Sequence, residues 1–262
     1  MISGVFMTAY SESLLQKVVQ IARDAGEVIL RHYHADLEIE LKSDESPVTI
    51  ADQEANALIV HALTQLTPEI PVIAEESVRG DEDLRDIPEF WLVDPLDGTK
   101  EFIDKNGDFT VNIALIREGE PVLGVVHPPA HGTLYAAVDG VAWFEDEEGR
   151  RGTLRAREVD SQCPTVVVSR SHRSPETDEF LARFPSFTEI PKGSSLKLCA
   201  IAAAEADIYP RLGRTMEWDI AAGHAVLVAA GGRVETLDGS ALRYGKLGLD
   251  NPHFIAWGRE DG

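Results

Sequence analysis

Cysteine is almost missing from this 262-residue chain: Cys163 and Cys199 are the only two, and neither sits in a Cys-x-x-Cys or Cys/His cluster. That rules out a disulfide-built scaffold and argues against structural zinc, leaving two reduced thiols in a cytosolic protein as the expectation. No apolar run approaches the roughly 20 residues needed to cross a bilayer. Met1 to Met7 is short and has no basic flank, so no secretory leader is expected. Basic residues are scarce beside acidic ones, 24 against 45, giving a formal charge of −21. Such a surface repels polyanions, which argues against a nucleic-acid polymer or anionic lipid as partner. The expected location is the cytoplasm, with peripheral contact at the inner membrane left open. Repeats, low-complexity tracts and Ser/Gly linkers are also missing.

What is present suits a soluble globular protein: 44% hydrophobic and 26% charged residues, enough for one large domain or two tightly joined lobes. Apolar residues from Leu14 to Ile29 recur at helical spacing, which predicts a helix over about 11–32. Ala55 to Leu66 repeats the pattern and predicts a second helix from about Asp52. Pro71 to Ala74 and Phe90 to Val93 read as short buried strands that deliver Glu75 and Asp94. Val111–Ile116, Val122–His127, Leu134–Val138 and Val141–Phe144 read as a block of strands. The charged stretch from Glu145 to Arg157 is the expected seam, dividing an N-terminal lobe (1–150) from a C-terminal lobe (151–262). Beyond it a strand is expected at Thr165–Val168, with helices at Pro175–Arg183, Ser195–Ala206 and Asp219–Ala230. Ser194 or Ser195 is the expected cap of the second of these. This order favours a layered α+β or α/β arrangement.

Asp94-Pro95-Leu96-Asp97-Gly98-Thr99 has the chemistry of a hard-cation site. Pro95 is expected to stop the strand ladder and turn the chain, bringing Asp97 back toward Asp94 with the Leu96 carbonyl pointing the same way. Gly98 allows close backbone approach, and Thr99 can start a helix. Two carboxylates and a carbonyl in one turn suit Mg²⁺, and the Gly98 and Thr99 amides suit a phosphate. Glu75, Glu76, Asp219 and Asp52 are the further candidates. Each has a plainer reading: Asp-Pro and Asp-Gly as turn dipeptides, Glu75-Glu76 as solvated surface, Asp52 and Asp219 as helix caps. Several strand ends and helix starts all bearing carboxylates shift the balance toward a site.

These residues resemble the inositol monophosphatase superfamily of metal-dependent, lithium-sensitive phosphatases. Ala74-Glu75-Glu76-Ser77 is similar to its first acidic motif, Trp91 to Thr99 to its central signature, and Trp218-Asp219-Ile220-Ala221-Ala222-Gly223 to its C-terminal one. The runs Gly98 to Phe102, Asn106 to Ile116, Val168 to His172, Gly193 to Lys197 and Tyr209-Pro210-Arg211 resemble the subgroup of bacterial 3′(2′),5′-bisphosphate nucleotidases. The resemblance implies an α+β fold, a layered αβαβα sandwich. It implies one Mg²⁺ on Glu75, Asp94 and the Leu96 carbonyl, and a second on Asp94, Asp97 and Asp219, with a third in turnover left open. Thr99 and Asp52 would orient the attacking water and help deprotonate it, with Glu75 also in the catalytic set. Two departures, Ile220 in place of a usual Thr and Asp104 in place of a basic residue, lie beside the ligands.

The substrate implied is adenosine 3′,5′-bisphosphate or its 5′-phosphosulfate form, losing the 3′-phosphate. Arg170, His172 and Lys197 are candidate anion partners, with Ser194 and the Gly193-Ser194-Ser195 amides as uncharged donors. Ser169, Lys100, Gly98, Thr99 and the metal-site residues Glu75, Leu96, Asp97 and Asp219 complete the expected contact set. His127 and His224 have apolar neighbours and are expected to pack or cap rather than catalyse. The alternatives are a sugar- or inositol-phosphate phosphatase, and a catalytically silent metal- or nucleotide-binding protein. Retention of Thr99 and Asp52 argues against the silent one. Oligomeric state is undetermined.

Overall fold

The computed structural model describes residues 12–34, 39–41, 47–78, 83–84, 87–170 and 174–260. Helix α1 (Glu12–Tyr33) buries one stripe, with Leu15, Val18, Ala22, Ala25 and Ile29 inside. A two-stranded antiparallel ribbon, β1 (Ile39–Leu41) and β2 (Pro47–Thr49), leads into α2 (Ile50–Leu66). On α2 the buried residues Ala51, Ala55, Ile59 and Leu63 fall four apart, so one line of the helix seats against the core. The helix begins two residues before Asp52, so Asp52 lies in the first turn rather than at the cap.

The two helices cover one face of a seven-stranded sheet. Its strands are β3 (Val72–Ala74), β4 (Glu89–Asp97), β5 (Thr110–Arg117), β6 (Glu120–His127), β7 (Leu134–Val138), β8 (Val141–Glu145) and β9 (Arg151–Thr153), in that spatial order. Only β3 and β4 run parallel; the rest pair antiparallel. Glu118-Gly119 and Asp139-Gly140 turn two of the hairpins with positive φ at both central residues, which matches the right-handed strand twist. The charged stretch read as a seam contains β9, which pairs with β8. The first sheet therefore runs on to Thr153.

A second sheet follows, with strand order β11-β10-β12-β14-β13. It comprises β10 (Thr165–Ser169), β11 (Thr188–Lys192), β12 (Ile208–Arg211), β13 (Arg233–Thr236) and β14 (Phe254–Trp257). Helix α4 (Pro175–Leu181) packs Phe180 and Leu181 on its outer face, against Val166, Val168, Ile208 and Ile255. Helices α5 (Leu196–Ala202) and α6 (Glu217–Ala229) are sandwiched between the sheets. The layers run α1/α2, sheet, α5/α6, sheet, α4, the αβαβα sandwich expected.

Strand β4 shows how the layers are built. Trp91 and Val93 point into the α1/α2 core, while Phe90 and Leu92 point toward α5 and α6. Helix α6 is buried almost all round and built of small residues because it lies tight on the sheet. A Cβ on Gly124 of β6 would come within 2.4 Å of the Ala222 carbonyl oxygen, so only glycine fits there. α5 ends sooner than expected, at Ala202, and Ala204 takes a left-handed φ of 60° just beyond it.

Candidate metal centre

The far end of β4 carries a bulge. Asp94 pairs with Asn112 and Asp97 with Thr110, so three steps on β4 span two on β5. Residues three apart on a regular strand face opposite sides; the extra residue returns Asp97 to the face of Asp94. That face looks toward α5 and α6. Pro95, which has no N–H to give the ladder, sits in the bulge. The expectation that Pro95 ends the strand is thus corrected: β4 runs on to Asp97. The Leu96 N–H donates to Asp94 Oδ1 at 3.1 Å, and the Leu96 side chain is buried under α1 and α2. Leu96 can therefore serve an ion only through its backbone. Gly98, at φ 89°, caps α3 (Thr99–Ile103), and Thr99 is its first residue.

The other carboxylates arrive from separate elements. Ala74 of β3 pairs with Val93, so Glu75 emerges beside Asp94 at the start of a short 3-10 turn. Asp52 enters from the first turn of α2 and is buried. Asp219 lies in the first turn of α6, where its Oδ2 accepts the Met216 N–H at 2.9 Å.

Electrostatics decide what this arrangement needs. Burial pushes the Asp94 carboxyl well above its ordinary range, and Glu75, Asp97, Asp219 and Asp52 each push it further. Burial and then Asp97 drive Asp219 up to about 8, with Glu75 adding and the Met216 N–H and Arg211 opposing. Burial also raises Asp97, opposed chiefly by Lys197 and by its bonds from Ser194 and Ser195. So many buried carboxylates cannot all ionise together without a cation, and a divalent ion reverses the local logic. Among the described residues, however, no three His, Cys, Asp or Glu side chains already converge as a closed ligand set. Mg²⁺ keeps several waters and uses few carboxylates, so an open acidic set fits it better than a closed cage would.

Around the acids lies a hydroxyl and amide network. Asp97 Oδ2 accepts the Ser195 N–H at 2.8 Å and a short bond from the Ser194 hydroxyl. Ser195 Oγ donates to Asn112 Oδ1 at 2.7 Å, and Thr110 Oγ1 reaches the same oxygen at 3.1 Å. Ser195 does occupy the N-cap position of α5, as expected of one of the two serines, but its side chain makes no cap bond, and Ser194 holds a left-handed φ of 50°. Two amides expected to serve phosphate are committed to carboxylates, Gly193 N–H to Asp108 and Ser195 N–H to Asp97.

Lys197 is buried, and desolvation lowers it to about 8 against the pull of Asp97, Glu101 and Asp219. Its ammonium donates to the Ser194 carbonyl and lies 5.6 Å from the Tyr209 ring centre. Arg211 is close enough to lower both Lys197 and Asp219. It also lines a cavity of about 430 Å³ with Ser169, Tyr209 and Ser174. Arg170 is half-exposed and bonds to Asp108, while Lys100 is exposed on α3. His172 lies outside the described residues. His127 bonds the Thr133 carbonyl at 2.8 Å and His224 the Tyr244 hydroxyl at 2.8 Å; both are packing histidines, and burial drives His224 down to about 3.

Four contributors escaped the sequence reading. Thr110 and Asn112 had a signal, since polar residues at 110 and 112 precede apolar ones at 114 and 116 on the same face of one strand. Asp108 stood in the run Asn106 to Ile116 that carries the resemblance, but nothing in the sequence gave it a partner; its N–H bonds Asn106 Oδ1 at 3.0 Å. Arg211 belongs to the Tyr209-Pro210-Arg211 run, but nothing in the sequence showed that it flanks the acids.

The inositol monophosphatase family model matches residues 11–258. The chain belongs to the inositol monophosphatase family. Within it, the chain is 47% identical over 233 residues to the 3′(2′),5′-bisphosphate nucleotidase CysQ of Salmonella typhimurium, spanning 88% of this chain and 94% of that protein. It is 46% identical to the Escherichia coli K12 protein of that name, with the same coverage. Among solved structures, CysQ from Bacteroides thetaiotaomicron superposes with a TM-score of 0.84 at 37% identity, covering 96% of this chain and 99% of that one. Among the described residues, no helix of this family member is long and apolar enough to cross a membrane.

Proposed function

We propose that the chain is a Mg²⁺-dependent phosphatase that removes the 3′-phosphate of adenosine 3′,5′-bisphosphate, and of its 5′-phosphosulfate form, giving AMP or the phosphosulfate and inorganic phosphate. Its place is the cytoplasm. One observation carries the reading: Arg211 stands both beside the acidic centre, where it shifts Asp219 and Lys197, and on the wall of the 430 Å³ cavity. Arg211 is thereby the cation that can serve both a phosphate at the acids and a further group in the cavity. That volume lies within the roughly 300–1,000 Å³ of small-molecule clefts. Similarity to the CysQ nucleotidases supports the choice of nucleotide.

Glu75, Asp94, Asp97, Asp219 and the Leu96 carbonyl would hold the ions. Bound Mg²⁺ supplies Lewis acidity, a more acidic water and charge neutralisation at phosphate. Thr99 and Asp52 orient the attacking water and take its proton. The water oxygen bonds to phosphorus as the bond to O3′ breaks, and the leaving O3′ takes a proton from solvent. Lys197 and Arg211 hold anionic charge that an otherwise acidic protein would repel. No protein nucleophile is needed.

A panel of phosphate esters assayed with Mg²⁺ tests this. The expected outcome is fastest release from the nucleotide bisphosphate, with inhibition by millimolar Li⁺. Preference for inositol monophosphate or fructose 1,6-bisphosphate overturns it, and absence of all turnover would favour a silent binding protein.

A further inference from the structure

We propose that Asp108 is a positioning residue that acts through Arg170 to set how tightly the substrate's second anionic group is held, an inference that rests on the nucleotide reading above. Asp108 lies between α3 and β5, and its side chain is 8% exposed. Three donors from three separate segments meet on this one carboxylate. His131, in the turn after β6, reaches Oδ1 at 3.2 Å; Arg170, just after β10, reaches Oδ2 at 2.9 Å; and the Gly193 N–H, after β11, reaches the same oxygen at 2.9 Å.

The His131 bond, then the Gly193 N–H and Arg170, hold the carboxyl well below its usual range despite burial, so it is charged at any working pH. The approach to Gly193 is too tight for any side chain. A Cβ there would lie 2.7 Å from Asp108 Cβ and 2.9 Å from both the Asp108 carbonyl oxygen and Glu101 Cγ. Two residues on, the Ser195 N–H is held by Asp97 at 2.8 Å. One loop is thus held by two carboxylates of the first sheet's end, of which only Asp97 belongs to the acidic centre.

Arg170 is 45% exposed, so its pair with Asp108 contributes little to folding. What that pair does is anchor one Nη of the guanidinium. A guanidinium has five N–H donors, so one bond to a fixed carboxylate leaves the others for an anion. Arg170 follows Ser169, which lines the cavity that Arg211 shares. A bisphosphate or phosphosulfate brings a second anion that a monoester of a neutral polyol lacks.

A double-mutant cycle of Asp108→Asn and Arg170→Ala in the full chain tests this, with KM and kcat measured for adenosine 3′,5′-bisphosphate and inositol monophosphate. Asp108→Asn is expected to raise KM for the bisphosphate about tenfold, with less than about a threefold fall in kcat. The double variant is expected to bind no worse than Arg170→Ala alone. Asp108→Glu, which keeps the charge, is expected to recover most of the lost affinity. Multiplying losses in the double variant, or a kcat loss with KM unmoved, make Asp108 a mere tether for Gly193 and overturn the inference. Should Asp108→Asn fail to fold, Arg170→Lys serves instead: it keeps the charge without the fork, and an unchanged KM overturns the inference. A wild type that prefers inositol monophosphate overturns the nucleotide reading and this inference with it. A wild type that prefers the bisphosphate while the cycle multiplies overturns this inference alone.

Discussion

Asp94 and Asp97 stand three residues apart on one strand yet face the same side, because β5 carries one residue fewer across the interval. This offset joins the sheet to its chemistry. It sets two carboxylates beside Asp219 on α6, in a gap closed elsewhere by Phe90, Leu92 and the small residues of α6. The acids are therefore buried and near one another, and that is costly without a cation.

Replacing Asp94 with Asn is expected to lower phosphate release about a thousandfold or more. The same change removes one charge from a repelling group, so the metal-free variant at pH 8 is expected to be more stable than wild type. A rise of several degrees in Tm is expected, at roughly 2–4 °C for each kcal/mol in a protein this size. Thermal melts in EDTA beside activity in Mg²⁺ check both halves.

Stability without metal should depend on pH in a stated direction. Asp94, Asp97 and Asp219 have folded-state values raised above their unfolded ones, Asp219 to about 8. Their protonated forms favour the fold fully below about pH 4, and that contribution is lost as pH rises toward 8. The metal-free Tm is expected to fall between about pH 7 and 8, above the range where the buried His127 and His224 oppose the trend, and Mg²⁺ to restore more stability at the upper end. A metal-free Tm that rises across this window would contradict the mutual repulsion of these acids.

Much of this fold is legible in the sequence, for a physical reason. α1 buries one face, so period 3.6 appears in the letters; the central strands of the first sheet are covered on both faces, so they read as short continuous apolar runs, and Glu118-Gly119 and Asp139-Gly140 mark their turns. The end of β4 reads correctly in its residues and incorrectly in its shape. Asp-Pro suggests a stop, but a bulge lets the strand absorb Pro95 and continue. The serines before α5 read as caps because their composition is that of caps. What they bond instead, Asp97 and Asn112, is more than eighty residues away in sequence. Local chemistry cannot announce such a partner.

Gly124→Ala is expected to destabilise the protein by about 1–3 kcal/mol, since the new methyl would drive α6 off the sheet. α6 carries Asp219, so Mg²⁺ affinity is expected to fall as well. Urea unfolding and a Mg²⁺ titration of activity measure the two effects. No change in either would mean that α6 shifts without consequence.

Lys197→Met keeps the bulk of a buried side chain and removes its charge beside Asp97 and Asp219. KM for the nucleotide bisphosphate is expected to rise about tenfold or more, reflecting loss of a charge-assisted contact. Steady-state kinetics at saturating Mg²⁺ would show it, and an unchanged KM would remove Lys197 from substrate binding.

One measurement reaches the whole account: ³¹P NMR of adenosine 3′,5′-bisphosphate turned over by the metal-stripped protein before and after Mg²⁺ is added back. The expected spectrum shows no release without the ion, then inorganic phosphate and 5′-AMP with it. Release without Mg²⁺, or loss of the 5′-phosphate in place of the 3′, would contradict the site and the substrate assigned to it.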